Sequence, residues 1–409
     1  MPLSQTFHPF APPLRDNPHP IFEEARKEEP IFFSELLKCW VVTRYEDVYA
    51  VLQDSRRFSS AGNLAVHKES LCPAAKTLLI ENQYTDPPLV NEDAPVHTRR
   101  RPVFKKLFSQ EAVRSLEPRI RDISQELVEG FIHQGRADIV SQLAYPLPMR
   151  VVLSWMDIPL EMMETIKRWG DAWVLLLFSE LTPEHQMECA HMVVKLQRYI
   201  ADLLAERLEQ KRTDAMTLLA AQLLSQEKLS IEELAGMVSG TVVAGNATLT
   251  SMVGLTTRVF LQQPHLWQRL REKPALLSQA IDEALRLESP FWGLRRVTTE
   301  PAEVGGVKLP AGARVLVAFI SANRDVERFP QSEVFDLDRP NASQHMSFGK
   351  GVHVCVGSNL AKQEVQAAME VLLQRLPDAR LVPGQELTFV PGLLRQHERL
   401  LVEWTPPNA

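Results

Sequence analysis

A glycine-rich stretch near the C-terminus contains the residues best suited to chemistry, and it reads Ser347-Phe348-Gly349-Lys350-Gly351-Val352-His353-Val354-Cys355-Val356-Gly357. Its glycines at 349, 351 and 357 permit backbone conformations closed to other residues and let a flat group approach closely. The stretch runs into a predicted helix over residues 359–376, and Cys355 lies where that helix starts. Because a helix N-terminus lowers the pKa of a thiol and offers N–H groups to the sulfur, the pattern predicts a thiolate at Cys355. The alternative is an inert buried thiol, the usual state of a lone cysteine.

A thiolate has a specific use as a ligand of haem iron. It donates electron density that favours cleavage of the O–O bond, which is the chemistry of oxygen activation rather than oxygen carriage. The spacing Phe-Gly-x-Gly-x-His-x-Cys-x-Gly resembles the haem-binding loop of the cytochrome P450 family at every fixed position. The resemblance implies that Cys355 is the axial ligand of haem b and that His353 hydrogen-bonds a haem propionate. It also implies that Phe348, Gly349 and Gly357 lie against the cofactor.

Two further segments resemble parts of the family that bind the haem propionates. The run DAPVHTRRR, residues 93–101, matches the family pattern D-x-P-x-H-x-x-x-R. His97 and Arg101 are four residues apart and share one helical face, and the resemblance implies that both reach propionates. Arg296 falls where the family has another propionate ligand, and the neighbouring Arg295 is the weaker candidate.

A third resemblance concerns residues that support the fold. Glu283 and Arg286 match the family's ExxR motif, whose spacing puts both side chains on one face of a helix. The spacing alone says little, because most such pairs are solvated on the surface. Arg339 falls where the family supplies the second arginine of a buried cluster. The resemblance therefore implies structural roles for these three residues.

The predicted helix over residues 232–260 opens with a capping box, Ser230-Ile231-Glu232-Glu233. In the family the middle of this helix crosses the oxygen-binding face of the haem. The resemblance implies a catalytic stretch in which Gly245 makes room and Thr248 hydrogen-bonds dioxygen, with Asn246 and Ala247 between them. The family commonly has an acid at position 247, whereas alanine has no side-chain proton to donate. Proton delivery must then use Thr248, Asn246, ordered water or the substrate itself.

The departure at Ala247 leaves other functions open. The string Ala-Gly-Asn-Ala-Thr also resembles the nitric-oxide-reducing branch of the same family, which takes electrons directly from a nicotinamide. Use of peroxide in place of dioxygen is a second alternative, and a haem protein that only binds a ligand is a third. The main prediction is a monooxygenase that inserts one oxygen atom from O2 into a hydrophobic organic substrate.

By resemblance, the substrate pocket draws on segments that are mostly apolar. They are residues 61–90, interpreted as a long surface excursion, residues 173–178, Val243, Ala247, Phe291, Trp292, Leu393 and Leu394. No flavin or iron–sulfur module is recognisable, so a separate ferredoxin or flavodoxin is expected to supply electrons. The basic run over residues 99–106 is interpreted as a solvated face, as a nucleic-acid site, or as a docking surface for such an acidic protein.

The elements that must position these residues are mostly helical. Apolar spacings near 3.6 residues predict helices over residues 45–54, 196–211, 232–260, 276–287 and 359–376. Short strands are predicted over residues 40–43 and 400–404, and a hairpin is predicted over 303–308 and 314–320 around Pro310-Ala311-Gly312. No repeat or linker is visible, so we predict one mainly helical domain over residues 1–409. By resemblance, its architecture is the family's helical prism with small β-sheets.

Composition argues against several other classes of protein. The net charge of −6 and the pI of about 6.0 give no overall attraction to nucleic acid or to anionic membranes. The four cysteines form no CxxC pair and suggest no disulfide framework, and the N-terminus lacks a signal-peptide pattern, so a cytoplasmic location is expected. Residues 234–257 carry no charge, but they contain too many hydroxyl residues and glycines for a lone membrane span. We predict a buried helix there.

Overall fold

The computed structural model describes residues 3–66, 69–179, 181–263 and 265–407. Helices account for 56% of the chain and the sheets are small, which confirms the predicted fold class. The chain divides into two compact units. Unit 1 comprises Met1–Ser59, Ser115–Pro148 and Thr248–Ala409, and unit 2 comprises Ser60–Arg114 and Met149–Ala247. That residues 1–409 form a single domain stays a prediction.

In chain order, the α-helices are α1 (Leu3–Thr6), α2 (His19–Glu28), α3 (Tyr45–Gln53), α4 (Pro73–Glu81), α5 (Pro88–Asn91), α6 (Val96–Lys105), α7 (Gln110–Glu129), α8 (Pro146–Trp155), α9 (Met163–Phe178), α10 (Pro183–Glu209), α11 (Ala215–Gln226), α12 (Ile231–Gln262), α13 (Leu266–Glu272), α14 (Leu277–Leu287), α15 (Phe319–Ala322) and α16 (Ser358–Arg375). Short 3-10 turns cover Lys106–Phe108, Ile132–Gln134, Leu160–Met162, Pro274–Leu276, Ala342–Gln344 and Gly351–His353, and a π-helix covers Val140–Ala144. Each of the five predicted helices is confirmed, although α10 begins well before the predicted start at residue 196.

The strands are β1 (Ile31–Ser34), β2 (Cys39–Val42), β3 (Phe58–Ser59), β4 (Arg136–Asp138), β5 (Leu294–Thr298), β6 (Ala302–Val304), β7 (Val307–Leu309), β8 (Arg314–Val317), β9 (Arg380–Leu381) and β10 (Leu401–Glu403). They form a five-stranded sheet of order β1-β2-β8-β5-β3, a three-stranded sheet of order β4-β10-β9 and the pair β6-β7. The larger sheet is antiparallel except between β2 and β8. Val48 and Val51 of α3 pack with Val315 and Val317 of β8 in one buried cluster, so α3 covers this sheet.

The hairpin predicted around Pro310-Ala311-Gly312 is wrong. β6 and β7 pair with each other, and the turn between them is Gly305-Gly306, whose two φ angles are positive. β8 pairs instead with β5, which sets Arg296 opposite Val315. The sequence Pro310-Ala311-Gly312 indicates a turn, but it does not identify the strand that pairs with β8, because pairing depends on residues far away in sequence.

Residues 61–90, interpreted as a surface excursion, are mostly exposed or half-buried where the structure describes them, but the prediction missed a helix with a buried face. The segment contains α4, and its Ala75, Leu79 and Tyr84 are buried. Residues 67 and 68 lie outside the described residues. The sequence of α4 does not predict a helix, because four or five apolar residues give too weak a periodicity.

The capping box of α12 is confirmed. The Ser230 N–H donates to Glu233 Oε2 (2.9 Å), and the Glu233 N–H donates to Ser230 Oγ (3.1 Å). From this start the helix continues unbroken to Gln262, and residues 234–239 and 249–257 are buried, as predicted. Within the four described ranges, none of the helices combines the length and the hydropathy that crossing a bilayer requires.

Candidate functional site

Backbone hydrogen bonds fix the loop that carries Cys355. The Cys355 N–H donates to Phe348 O (2.8 Å), and the Gly349 N–H donates to Met346 O (2.7 Å). The Cys355 thiol is exposed. Since α16 begins only at Ser358, the thiol lies shortly before the helix rather than at its first residue. The loop therefore presents an accessible sulfur on a backbone of defined shape.

Two of the three loop glycines need the conformational freedom predicted for them. Gly349 and Gly351 have φ angles of +67° and +72°, in the left-handed region that side chains disfavour. At Gly351 a Cβ would also lie 2.2 Å from Leu52 O. Gly357 has a φ of −90°, which any residue adopts, so the conformational reason given for this glycine is wrong.

Buried side chains anchor the start of the loop. Asn323 Nδ2 donates to Ser347 Oγ (2.9 Å), and Asn323 Oδ1 accepts from the Met346 N–H (2.6 Å). Ser347 Oγ in turn donates to Leu285 O (2.7 Å). No local sequence pattern marks Asn323, because its hydrogen-bond partners come from other segments of the chain.

An ion pair lies beside the aromatic ring of the loop. Lys362 Nζ is 2.6 Å from Asp282 Oδ1 and 5.8 Å from the centroid of the Phe348 ring. Burial alone would raise the pKa of Asp282, but hydrogen bonds to His345 and Lys362 lower it. The carboxylate thus holds an ammonium group close to Phe348, another contact that the sequence did not reveal.

The structure brings the three residues of the predicted structural cluster together. Arg286 donates from Nε and Nη2 to the two oxygens of Glu283 (2.7 and 2.8 Å), and Arg339 Nε donates to Glu283 Oε1 (2.9 Å). All three side chains are buried. Arg286 Nη1 also donates to Asn323 O (2.9 Å), so the cluster supports the residue that anchors the cysteine loop.

Arg295 and Arg296 of β5 point in different directions. Successive side chains of a strand face opposite sides of the sheet. Arg295 lies near Cys39 and Arg314, and burial lowers its pKa, whereas Arg296 is buried with its Nη1 2.6 Å from Arg295 O. Only one of the two can face a ligand on a given side of the sheet.

In unit 2, α6 presents His97 and Arg101 on one face. His97 is buried, and burial followed by the charge of Arg101 lowers its pKa. The basic run beyond them is partly neutralised: Arg99 Nε lies 3.3 Å from Glu227 Oε2, and Arg100 pairs with Glu92. Two arginines of the run are therefore engaged within unit 2 and contribute little to a docking surface.

The middle of α12 has two distinct faces. Thr241, Ala244, Gly245 and Thr248 are exposed or half-buried in a helix that is otherwise buried, and their spacing of three and four residues forms one stripe. The buried Asn246 and Ala247 lie on the other face. Gly245 and Thr248 thus share an accessible side of the helix, and the two residues between them do not.

On that other face, a narrow gap lies between α9 and α12 within unit 2, and we call it the α9–α12 gap. It is lined by Met149, Ile166, Gly170, Asp171, Val174, Val242, Val243, Asn246 and Ala247. Three residues predicted for the site, Val243, Asn246 and Ala247, border it. Most of the lining is apolar.

The donors of the predicted site fit haem. A single protein thiolate is a sufficient iron ligand when a porphyrin supplies the ring nitrogens, and guanidinium and imidazole groups suit the propionates. Cys355, His353 and Arg296 offer these groups in unit 1, and His97 and Arg101 offer them in unit 2.

Comparison with known proteins decides the family. Residues 7–378 match the family model described as Cytochrome P450. The chain belongs to the cytochrome P450 family. It is 34% identical over 373 residues to the mycinamicin IV hydroxylase/epoxidase of Micromonospora griseorubida, covering 90% of each chain. It is 31% identical over 363 residues to cytochrome P450 109 of Bacillus spizizenii, covering 87% of this chain and 84% of the relative.

A solved structure shows the same fold. Cytochrome P450 CREJ in complex with (4-ethylphenyl) dihydrogen phosphate superposes with a TM-score of 0.93 at 31% sequence identity, covering 98% of this chain and 100% of the other. This P450 therefore binds haem b and is an O2-dependent monooxygenase of small molecules that receives electrons through a redox partner. The nitric-oxide-reducing, peroxide-using and purely ligand-binding alternatives are not favoured.

Several residues predicted for the substrate pocket of the P450 lie in its core. Trp292 is 1% exposed, and its ring packs edge-on against Phe7 (6.0 Å between centroids) and Phe22 (5.7 Å). This packing argues against a pocket role for Trp292. Its N–H donates to Leu393 O (2.9 Å), and next to it Phe291 bridges to Leu394.

Trp173, predicted to begin a pocket segment, is also a core residue. It is 1% exposed, and its Nε1 donates to Tyr84 Oη (2.9 Å), which donates to Asp86 Oδ1 (2.7 Å). Burial and then the charge of Asp86 raise the pKa of Tyr84 well above its ordinary value, so this tyrosine stays neutral. The chain of hydrogen bonds ties the segment before α5 to α9.

Proposed function

We propose that this P450 hydroxylates a hydrophobic organic molecule at a haem whose iron is bound by Cys355. One observation carries the assignment: the exposed Cys355 thiol lies on a loop whose backbone is fixed by two positive-φ glycines and by Asn323. The haem supplies oxygen activation, for which a thiolate ligand is suited. His353 and Arg296 would hold propionates from unit 1, and His97 and Arg101 from unit 2. Glu283, Arg286 and Arg339 would hold the fold that supports the loop.

On α12, Gly245 and Thr248 would face dioxygen. Their accessible stripe supports this role, because glycine leaves room and a hydroxyl can both accept and donate a proton. Thr248 would hold a proton at Oγ1, and Asn246 and Ala247 would shape the opposite face of the helix. Most side chains predicted for the pocket, Val243 among them, are apolar, which supports a hydrophobic substrate, since apolar walls bind by excluding water.

The electron donor proposed here is a separate acidic protein, a ferredoxin or a flavodoxin, and the location proposed is the cytoplasm. Lys105 and Lys106 at the end of α6 are exposed and can attract an acidic surface. Since Arg99 and Arg100 are paired with glutamates, these lysines are the part of the basic run that remains available.

The Cys355 assignment is tested by the spectrum of the reduced protein under carbon monoxide. Wild type should show the band typical of sulfur-ligated haem, and Cys355→Ser should lose it because a hydroxyl is a poor substitute for a thiolate. Cys72→Ser is the matched control, since Cys72 is a partly exposed cysteine in α4's N-cap position, and it should keep the band. A band that survives in Cys355→Ser would refute the assignment.

Turnover with a surrogate ferredoxin and its reductase over terpenes, fatty acids, steroids and polyketides would identify the substrate class. We expect a product carrying one added oxygen atom from labelled O2. Fast direct reduction of the ferric nitric oxide complex by NADH, without any partner protein, would instead support the nitric-oxide-reducing alternative.

A further inference from the structure

Thr248 and Ser251 of α12 both belong to unit 1, and a loop of the same unit lies against the helix here. Thr248 is half-buried, whereas Ser251, three residues further along the same side of the helix, is 1% exposed. The Ser251 hydroxyl donates a hydrogen bond to Arg395 O. Arg395 belongs to residues 389–397, which we call the 389–397 loop. The backbone of this loop therefore covers α12 one helical turn after the residue proposed to face dioxygen.

The 389–397 loop keeps its shape through contacts of its own. The Val390 N–H donates to Gln396 O (2.9 Å). Phe389 and His397 pair as an isolated β-bridge, and the centroids of their rings are 4.3 Å apart. A segment closed in this way can shift as one piece, so its position on α12 depends on what joins it to its surroundings.

Arg395 joins the loop to its neighbours. Its N–H donates to Pro290 O (2.8 Å), and its Nη2 lies 3.0 Å from Glu288 Oε2. These two bonds tie the loop to the segment that follows α14, whereas the bond from Ser251 to Arg395 O ties it to α12. Among the residues that the structure describes, Ser251 is the one donor to Arg395 O. Since Arg395 is buried, loss of the Ser251 hydroxyl would leave a buried carbonyl unpaired, which is costly.

We propose that the Ser251 hydroxyl sets how closely the 389–397 loop approaches Thr248 and thereby decides which face of the substrate is oxidised. Without this hydroxyl, the loop keeps its shape but shifts on α12, and the wall next to Thr248 moves with it. A shift of about 1 Å is enough to change how a substrate is held for reaction. The inference rests on the proposed role of Thr248. Ser251 acts through the loop, so it is a positioning residue and not a catalytic one.

The test measures which mirror-image product the protein forms from one probe, thioanisole. Each turnover transfers one oxygen atom of O2 to sulfur, and the other atom leaves as water with two protons and with two electrons from NADPH, delivered through a ferredoxin and its reductase. The two faces of the sulfur give opposite enantiomers of the sulfoxide, so their ratio reports how the probe is held. We expect Ser251→Ala to change this ratio about twofold or more. Ser251→Thr, which keeps a hydroxyl, should retain the wild-type ratio.

Ser124→Ala is the matched control. Ser124 is a buried serine of α7 in the same unit, and its Oγ donates to Ile120 O (2.8 Å) in its own helix. Removing this hydroxyl also loses one buried hydrogen bond, but it releases no loop, so the enantiomer ratio should stay at the wild-type value. The ratio does not depend on the amount of haem-loaded protein, so a general loss of stability does not change it.

Several outcomes would overturn the proposal. They are a ratio unchanged in Ser251→Ala, an equal change in Ser124→Ala, and a change in Ser251→Thr as large as that in Ser251→Ala. Ser251→Ala protein that binds no haem would also overturn it, because the hydroxyl would then serve the fold rather than the position of the loop.

A second readout needs no turnover. Hydrogen exchange of the holoenzyme, measured by mass spectrometry on peptides that cover residues 389–397, should be about fivefold faster or more in Ser251→Ala and unchanged in Ser124→Ala. Equal exchange in wild type and Ser251→Ala would refute the role of this hydroxyl in holding the loop. If wild type forms no sulfoxide, the proposed function fails, and hydrogen exchange still judges whether Ser251 holds the loop.

Discussion

Glu364 of α16 is a carboxyl group that no part of the proposed site uses. It is 1% exposed, and neither of its oxygens has a hydrogen-bond partner among the residues that the structure describes. Burial raises its pKa well above the ordinary value, because burial favours the uncharged form of a carboxyl group. A folded-state pKa above the unfolded one means that folding takes up a proton, and stability then falls as the pH rises above about 4.5.

Replacing Glu364 by glutamine removes this pH dependence. We expect the stability of Glu364→Gln, relative to wild type, to improve steadily as the pH rises from about 4.5 to 8, because the amide needs no proton to stay neutral. Urea unfolding at several pH values measures this difference. Glu209→Gln, at an exposed position of α10, should differ from wild type in stability by the same amount at every pH. If the stability difference between Glu364→Gln and wild type were also independent of pH, the Glu364 carboxyl would have to be solvated.

At the scale of elements, the cysteine loop depends on Gly351 more than on Gly357. Alanine at 351 would hold a strained positive φ, which costs about 1–2 kcal/mol, and its Cβ would collide with the Leu52 carbonyl. We expect Gly351→Ala to lose most of its haem, measured as the ratio of haem to protein absorbance. Gly357→Ala keeps an allowed φ and should retain a folded loop. Equal haem content in the two variants would contradict this account.

The helix α12 carries glycines for a different reason. In a helix, glycine is normally less stable than alanine by about 0.5–1 kcal/mol. Yet a Cβ at Gly236 would lie 2.1 Å from Thr85 Oγ1, and one at Gly240 would lie 2.8 Å from Pro87 Cβ. These glycines let the segment before α5 lie directly on the helix.

Replacing glycine by alanine should therefore change the stability of the protein in opposite directions at different positions of α12. We expect Gly236→Ala to lower stability by about 1–3 kcal/mol through overpacking. Gly254→Ala, whose Cβ would have its nearest contact at 3.9 Å, to Val140 Cγ2, should raise stability slightly. Thermal unfolding measures the stability of both variants relative to wild type. If both variants were more stable than wild type, the segment that contains Thr85 would have to move aside without cost.

At the scale of the molecule, Glu288 joins distant segments of unit 1. It lies 2.8 Å from Arg258 Nη2, 3.0 Å from Arg395 Nη2 and 3.3 Å from Arg324 Nη2. Burial alone would raise its pKa, but Arg258 and Arg395 hold it well below the ordinary value. A depressed folded-state pKa gives stability that is present above about pH 4.5 and is lost as the pH falls through the folded value.

Glu288→Gln should therefore destabilise the whole protein at neutral pH. We expect a loss of about 3–5 kcal/mol, because three guanidinium groups, two buried and that of Arg258 11% exposed, lose their shared carboxylate. The loss should shrink as the pH falls below about 4.5, because Glu288 takes up a proton in the unfolded wild-type chain there, which lowers the stability of wild type but not that of Glu288→Gln. Glu333→Gln removes a half-exposed partner of Arg324 and should cost less than about 1 kcal/mol. Urea midpoints between pH 3 and 8 measure both, and a constant loss for Glu288→Gln would refute the electrostatic explanation.

Local pattern was enough wherever a feature depends on near neighbours in sequence. The period of 3.6 residues in the apolar pattern predicted the long helices, and the capping box of Ser230 and Glu233 predicted the start of α12. The spacing of glycines and histidine around Cys355 indicated the haem loop. Each of these signals is complete within a few turns of chain, so its physical cause can be read from the sequence.

Tertiary structure alone decided everything that depends on distant partners. β8 pairs with β5 rather than with β7, and Trp292 packs against Phe7. Glu288 forms ion pairs with arginines from separate segments. Asp171 borders the same gap as Ala247. A side chain's charge state, burial and partner are set by contacts across the fold, and the sequence around it carries no record of them.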